Sequence, residues 1–132
     1  MSLDSQDKTS LIKFKIEMAH ESLNDAEFSI QNGKLRMAVN RLYYAIFYIL
    51  YALASKHNFK TSKHLTLIGW FNKNFVKAKL VDKRLSMIAK QAYDMRSKGD
   101  YGDYIAFSKD EVGQLLQDIK EFVAKLEELL KS

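Results

Sequence analysis

The chain has no cysteine and no proline, and only 5 glycines among its 132 residues. Without thiols it can form no disulfide and no thiolate metal site, which fits a reducing compartment. Without proline, and with little glycine, long helices meet few breakers. The first ten residues, MSLDSQDKTS, are too polar for a signal peptide. The longest uncharged run, Leu42 to Ser55, is shorter than the roughly 20 residues a bilayer span needs. No membrane segment is therefore expected, and the expected location is the cytoplasm. A glycine-rich phosphate loop, an HExxH zinc pair and a GxSxG elbow are all missing as well. No cofactor and no metal are expected.

With 47% hydrophobic and 28% charged residues, the composition is that of a globular chain, and its length suits one domain over residues 1–132 with one core. The stretch Leu35 to Leu53 is apolar on more sides than any other. At about 100° per residue, Leu35, Val39, Leu42, Ile46, Ile49, Leu50 and Leu53 share one face, and Met37, Tyr44, Phe47, Tyr48 and Tyr51 lie roughly opposite. A helix apolar nearly all round must be covered nearly all round. The first face suits the centre of a bundle. The second suits either more packing within the chain or a subunit interface, since tyrosine combines a large apolar body with a wet tip. Tyr44, Phe47, Tyr48 and Tyr51, together with Arg41, are the candidate interface residues.

Around this helix the periodicity predicts four others. Ile12, Ile16, Ala19, Leu23, Ala26 and Ile30 alternate spacings of four and three from about Lys8 to Gln31, with Gly33 placed for a left-handed cap. A third helix, about Lys63 to Lys77, turns His64, Ile68, Phe71 and Phe75 to one side. The fourth runs from an Asp82 cap to about Lys98, with Leu85, Ile88, Ala92 and Met95 inward and Arg96 beside that row. A glycine-rich aromatic loop, Gly99 to Tyr104, is expected next. Ser108 and Glu111 have capping-box spacing and open the fifth helix.

Short connections between helices predict an all-α, up-and-down bundle of four to five helices with antiparallel neighbours. That threading would gather His57, His64, Arg96, Asp100, Tyr101, Asp103 and Tyr104 at one pole, with Arg41 several turns away. Charge points to the same region. Ser55 to Lys98 holds 11 Lys and Arg against 2 Asp, a net of +9, while the rest of the chain carries −4. Such a segment attracts phosphates over a Debye length of about 8 to 10 Å, or it is simply a solvated lysine face. Arg96 suits a phosphodiester held in bidentate fashion, or an ion pair with Asp94 or Asp100.

Three motifs, Asn40-Arg41-Leu42-Tyr43-Tyr44-Ala45-Ile46-Phe47, Lys63-His64 and Arg96-Ser97-Lys98-Gly99-Asp100-Tyr101, occur in an order and helical layout that resemble the HEPN domains across nearly the whole chain. The resemblance implies a homodimeric helical bundle with a polar cleft near the dimer interface. It also implies pairing with a small nucleotidyltransferase in toxin–antitoxin style operons. Active HEPN ribonucleases carry an arginine followed, after four to six residues, by a histidine, and cleave RNA without metal. Here the permitted positions after Arg96 hold Tyr101, Gly102 and Asp103, so that histidine is missing. A tyrosine of pKa about 10 offers roughly a thousandfold less of its base form at neutral pH than a histidine near 6.5. Another trait of some relatives, adenylylation of a tyrosine just beyond that histidine, meets Asp103 here, with Tyr104 one residue late.

The leading expectation is an RNA- or nucleotide-binding module. Arg96 and Lys63 would hold phosphate, Tyr101 and Tyr104 would stack on bases, and His64 and Asp100 would orient the loop. One alternative is a metal-independent endoribonuclease using Arg96, His64 and Tyr101, in which His64 replaces the missing histidine. The other is a protein-interaction module without ligand.

Overall fold

The computed structural model describes residues 5–101 and 106–131, with side chains over 6–99 and 106–131. These residues form five α-helices: α1 (Ser5–Gln31), α2 (Leu35–Lys56), α3 (His64–Phe71), α4 (Lys83–Tyr101) and α5 (Lys109–Lys131). A π turn at Asn72–Val76 extends α3, closed by Lys77 N–H donating to the Asn72 carbonyl (2.8 Å). No strand occurs among the described residues.

The helix α2 is the axis of the bundle. Leu42, Ile46, Ile49, Leu50 and Leu53 are wholly buried because α1, α4 and α5 all pack on it. By length and composition α2 could cross a membrane, but about two thirds of its apolar stretch is already buried by the rest of the chain. The turn before it uses Gly33 at φ +71°, where a Cβ would be strained, and it returns α1 antiparallel to α2. Lys8 near the start of α1 thus donates to Asn58 just past the end of α2 (2.9 Å). The helix α5 runs parallel to α2. At their shared end Lys56 Nζ donates to the carbonyls of Leu129 and Leu130 (3.0 and 3.2 Å), meeting the negative end of the α5 dipole.

Local signals stop and start the helices as the sequence predicts. Asp82 accepts the Arg84 N–H (2.7 Å). At the start of α5 the Ser108 N–H donates to Glu111 Oε1 (2.9 Å) and the Glu111 N–H donates to Ser108 Oγ (3.1 Å), a reciprocal capping box. One boundary differs. Gly99, Asp100 and Tyr101, expected in a loop, belong to α4. A Cβ on Gly99 would meet the Phe107 ring at 3.3 Å, so the bare backbone there lets the lead-in to α5 pack closely on α4.

The threading also differs from the expected pole. After α2 the chain turns back at once: Asn58 adopts φ +59°, and the Phe59 N–H donates to the Ala54 carbonyl (2.9 Å). Phe59 then stacks on Trp70 at 5.2 Å. Residues 57–63 therefore lead back along α2, and α3 begins beside the middle of that helix rather than at its end. Because α3 has only 8 residues, it does not traverse the bundle, and α4 ends near the start of α2. His57 stays at the other end, beside Trp70 and Phe75. Phe47, expected at a subunit interface, is 2% exposed because the returning segment covers it.

In urea unfolding, Ile46→Ala should lower the unfolding free energy by about 2–5 kcal/mol through the cavity it leaves. Ser108→Ala should cost about 1 kcal/mol through the lost cap. An Ile46→Ala loss as small as the cap's would contradict the central place of α2.

Candidate functional site

Tyr43 is a large polar-tipped residue on the core side of α2, 1% exposed. A buried hydroxyl without a partner costs a few kcal/mol, and here the partners are His64, with Tyr43 Oη 2.5 Å from Nδ1, and the Arg96 side chain. His64 opens α3 and its ring stacks on Phe47 at 3.9 Å. From the other side α4 brings Arg96, whose guanidinium carbon lies 4.6 Å from the Tyr43 ring centroid and 5.8 Å from that of Tyr44. Arg41 lies over Tyr44 at 5.1 Å, held by two hydrogen bonds to Asn40 Oδ1 (3.1 and 2.7 Å). Arg41 is therefore a neighbour of Arg96 across one tyrosine ring, not a residue of the opposite pole.

His64 and Arg96 line one cavity of about 390 Å³ with Tyr43, Lys63, Leu65, Thr66, Tyr93 and Ser97. Sequence reasoning brought Lys63, His64 and Arg96 to this place and passed over Tyr43 and Tyr93. The signal for Tyr43 was a hydroxyl among otherwise apolar positions of α2. The signal for Tyr93 was its place one turn before Arg96. Asp94, one candidate partner for Arg96, pairs instead with Lys90 (2.9 Å). The side chains of Asp100 and Tyr101, and Gly102, Asp103 and Tyr104 altogether, lie outside the described residues. Of the candidate interface residues, Tyr44, Tyr48, Tyr51 and Arg41 are half-buried. The Lys15 ammonium of α1 lies 5.5 Å from the rings of both Tyr48 and Tyr51.

The electrostatics follow from burial and from Arg96. Burial pushes the Tyr43 phenol above its ordinary pKa, and the Arg96 charge offsets only part of this. Burial, then Arg96, pushes the His64 imidazole below its usual range. At neutral pH the pair is thus a protonated phenol and a neutral imidazole. Oη and Nδ1 share one hydrogen bond whose direction follows the imidazole tautomer; with the phenol as donor, the ring proton sits on Nε2. Among the described residues no group of three or more His, Cys, Asp or Glu is placed to hold a metal.

Among known protein families, the HEPN domain model matches residues 12–129. The chain belongs to the HEPN domain family. A UPF0332 protein of Thermotoga maritima is 33% identical over 125 residues, 95% of each chain. Two Methanocaldococcus jannaschii proteins named "Putative toxin" are also similar. One is 30% identical over 130 residues, 98% of this chain and 96% of the relative. The other is 32% identical over 117 residues, 89% and 80% respectively. The matched span includes all three motifs.

His64 makes stability depend on pH. Its folded pKa lies below the unfolded value of about 6.5, so between the two values the unfolded chain holds more protons. Stability is complete above that range and falls as pH drops through it. The melting temperature should decrease from about pH 7.5 to about 5.5, and His64→Leu should make the decrease shallower. His57, whose pKa is also lowered, contributes equally in both proteins. An unchanged slope in the variant would mean that folding does not hinder protonation of His64.

Proposed function

We propose that this HEPN protein is an RNA- or nucleotide-binding module that acts as a homodimer in the cytoplasm, beside a nucleotidyltransferase partner in a toxin–antitoxin setting. The observation that carries the proposal is the placing of Arg96 and His64 around one buried tyrosine, with both lining a cavity that Lys63 also edges. A guanidinium backed by aromatic rings offers two parallel donors to a phosphate, and the Nε2–H of a neutral His64 adds a third. Tyr101 and Tyr104, close to Arg96 in sequence, supply ring faces for bases. The names of the M. jannaschii relatives support the toxin–antitoxin context. A toxin needs a partner that restrains it, and the nucleotidyltransferase fills that role.

Binding is favoured over cleavage by the hydrogen bond of Tyr43. In the tautomer where the phenol donates to Nδ1, the other ring nitrogen carries the proton and His64 acts as a donor rather than as a base toward a ribose hydroxyl. The competing reading is a metal-independent endoribonuclease. It draws support from the neutral state of His64 beside Arg96. A titration with labelled RNA in the presence of a chelator separates the two. Wild type should bind, with affinity falling as salt rises, Arg96→Ala should lose about tenfold or more, and the RNA should stay intact. Equal affinities for the two proteins would remove Arg96 from the site. Cleavage abolished by both Arg96→Ala and His64→Ala would promote the ribonuclease.

The half-buried tyrosines Tyr44, Tyr48 and Tyr51, with Arg41, form the proposed dimer surface. Sedimentation should give twice the monomer mass for wild type and the monomer mass for Tyr48→Glu. A wild-type monomer, or a Tyr48→Glu dimer, would exclude this surface.

A further inference from the structure

Three concavities share walls along the seam between α3 and α4. The Arg96 cavity shares Leu65 and Tyr93 with a second, of about 180 Å³, which Lys90 also lines. The second shares Asn72 and Ser86 with a third, of about 990 Å³, between the π turn and the start of α4. The largest lies at the end of the seam remote from Arg96. It is lined by Lys73, Lys77, Lys79, Lys83 and Lys125 against a single carboxylate, Asp82, which is engaged in capping α4. Among the described residues, Lys73, Lys77, Lys79 and Lys83 have no ion pair.

Ammonium groups crowded in one bay repel one another, a cost that a polyanion in the bay would reverse. From Arg96 back to Lys83 along α4 is roughly 20 Å at 1.5 Å per residue, too far for one nucleotide and suited to several. Exposed apolar surface lies between the charges, with Leu65 61% and Leu80 60% exposed. A duplex hides its base faces, whereas a single strand can lay them on such surface. We infer that the α3–α4 seam is a continuous tract for single-stranded RNA. Arg96 and His64 hold one phosphate, and the lysine bay holds phosphates several nucleotides away. The inference rests on the proposal that the Arg96 cavity takes an RNA phosphate, and it adds the length and path of the strand.

The test compares a dinucleotide with a labelled single-stranded RNA of about twelve nucleotides. The variants are Lys73→Ala/Lys77→Ala/Lys83→Ala and a charge-matched control, Lys13→Ala/Lys34→Ala/Lys131→Ala, all at exposed positions. The bay variant should bind the longer RNA about tenfold more weakly and reduce the slope of log affinity against log salt by about 2. It should bind the dinucleotide as wild type does, and the control should change each value much less. Equal losses in both variants, no loss in either, or competition by polyglutamate as strong as by RNA would overturn the tract. Arg96→Ala reports on the cavity separately. Unchanged dinucleotide affinity in that variant would sink the Arg96 site, whatever the lysines do.

Discussion

The hydrogen bond between Tyr43 and His64 is the constraint on which the arrangement depends. A phenol on the core side of the central helix needs partners, and Tyr43 finds them in His64, 21 positions later, and in Arg96 on α4. Bringing His64 there forces the segment after α2 to turn back on itself, which covers Phe47 and leaves α3 short. The short α3 then delivers α4 so that it ends near the start of α2, with Arg96 against the same tyrosine. The polar cavity is thus built around one buried hydroxyl and the two side chains that satisfy it.

The bond also sets the chemistry. An imidazole whose Nδ1 is taken by a protonated phenol, under the field of a guanidinium, works as a donor. In the proposed site His64 would then complement Arg96, both turning N–H groups toward a phosphate. The sequence resemblance sets Arg96 against the arginine of the HEPN ribonuclease motif and Tyr101, Gly102 and Asp103 against the span that holds its histidine. Its remaining histidine near the arginine comes from another helix and is engaged by Tyr43.

The parts of the fold that local chemistry dictates were legible in the sequence. The apolar rows of α1, α2, α4 and α5, the capping box of Ser108 and Glu111, the Asp82 cap and the turn at Gly33 all follow from nearby residues. The path of residues 57–63 does not. It depends on Asn58 in a left-handed conformation and on Phe59 finding Trp70, contacts that no periodicity encodes. The same gap explains Phe47, which reads as a surface aromatic until His64 covers it, and Arg41, which reads as remote until the helices cross. His64 and Arg96 were recognisable as residue types, but Tyr43, which unites them, was hidden within an apolar run.

The contact of Lys56 with the last carbonyls of α5 makes the two ends of the molecule unlike. Because α2 and α5 run parallel, their negative termini lie side by side, and a lysine cation offsets the repulsion between them. Ionic strength weakens that arrangement. The opposite end, where Phe107 packs on Gly99, is held by apolar contact that simple salts scarcely touch. Concentrated sodium chloride should therefore loosen the bundle from one side first, peeling the final turn of α5 while the Arg96 region stays closed.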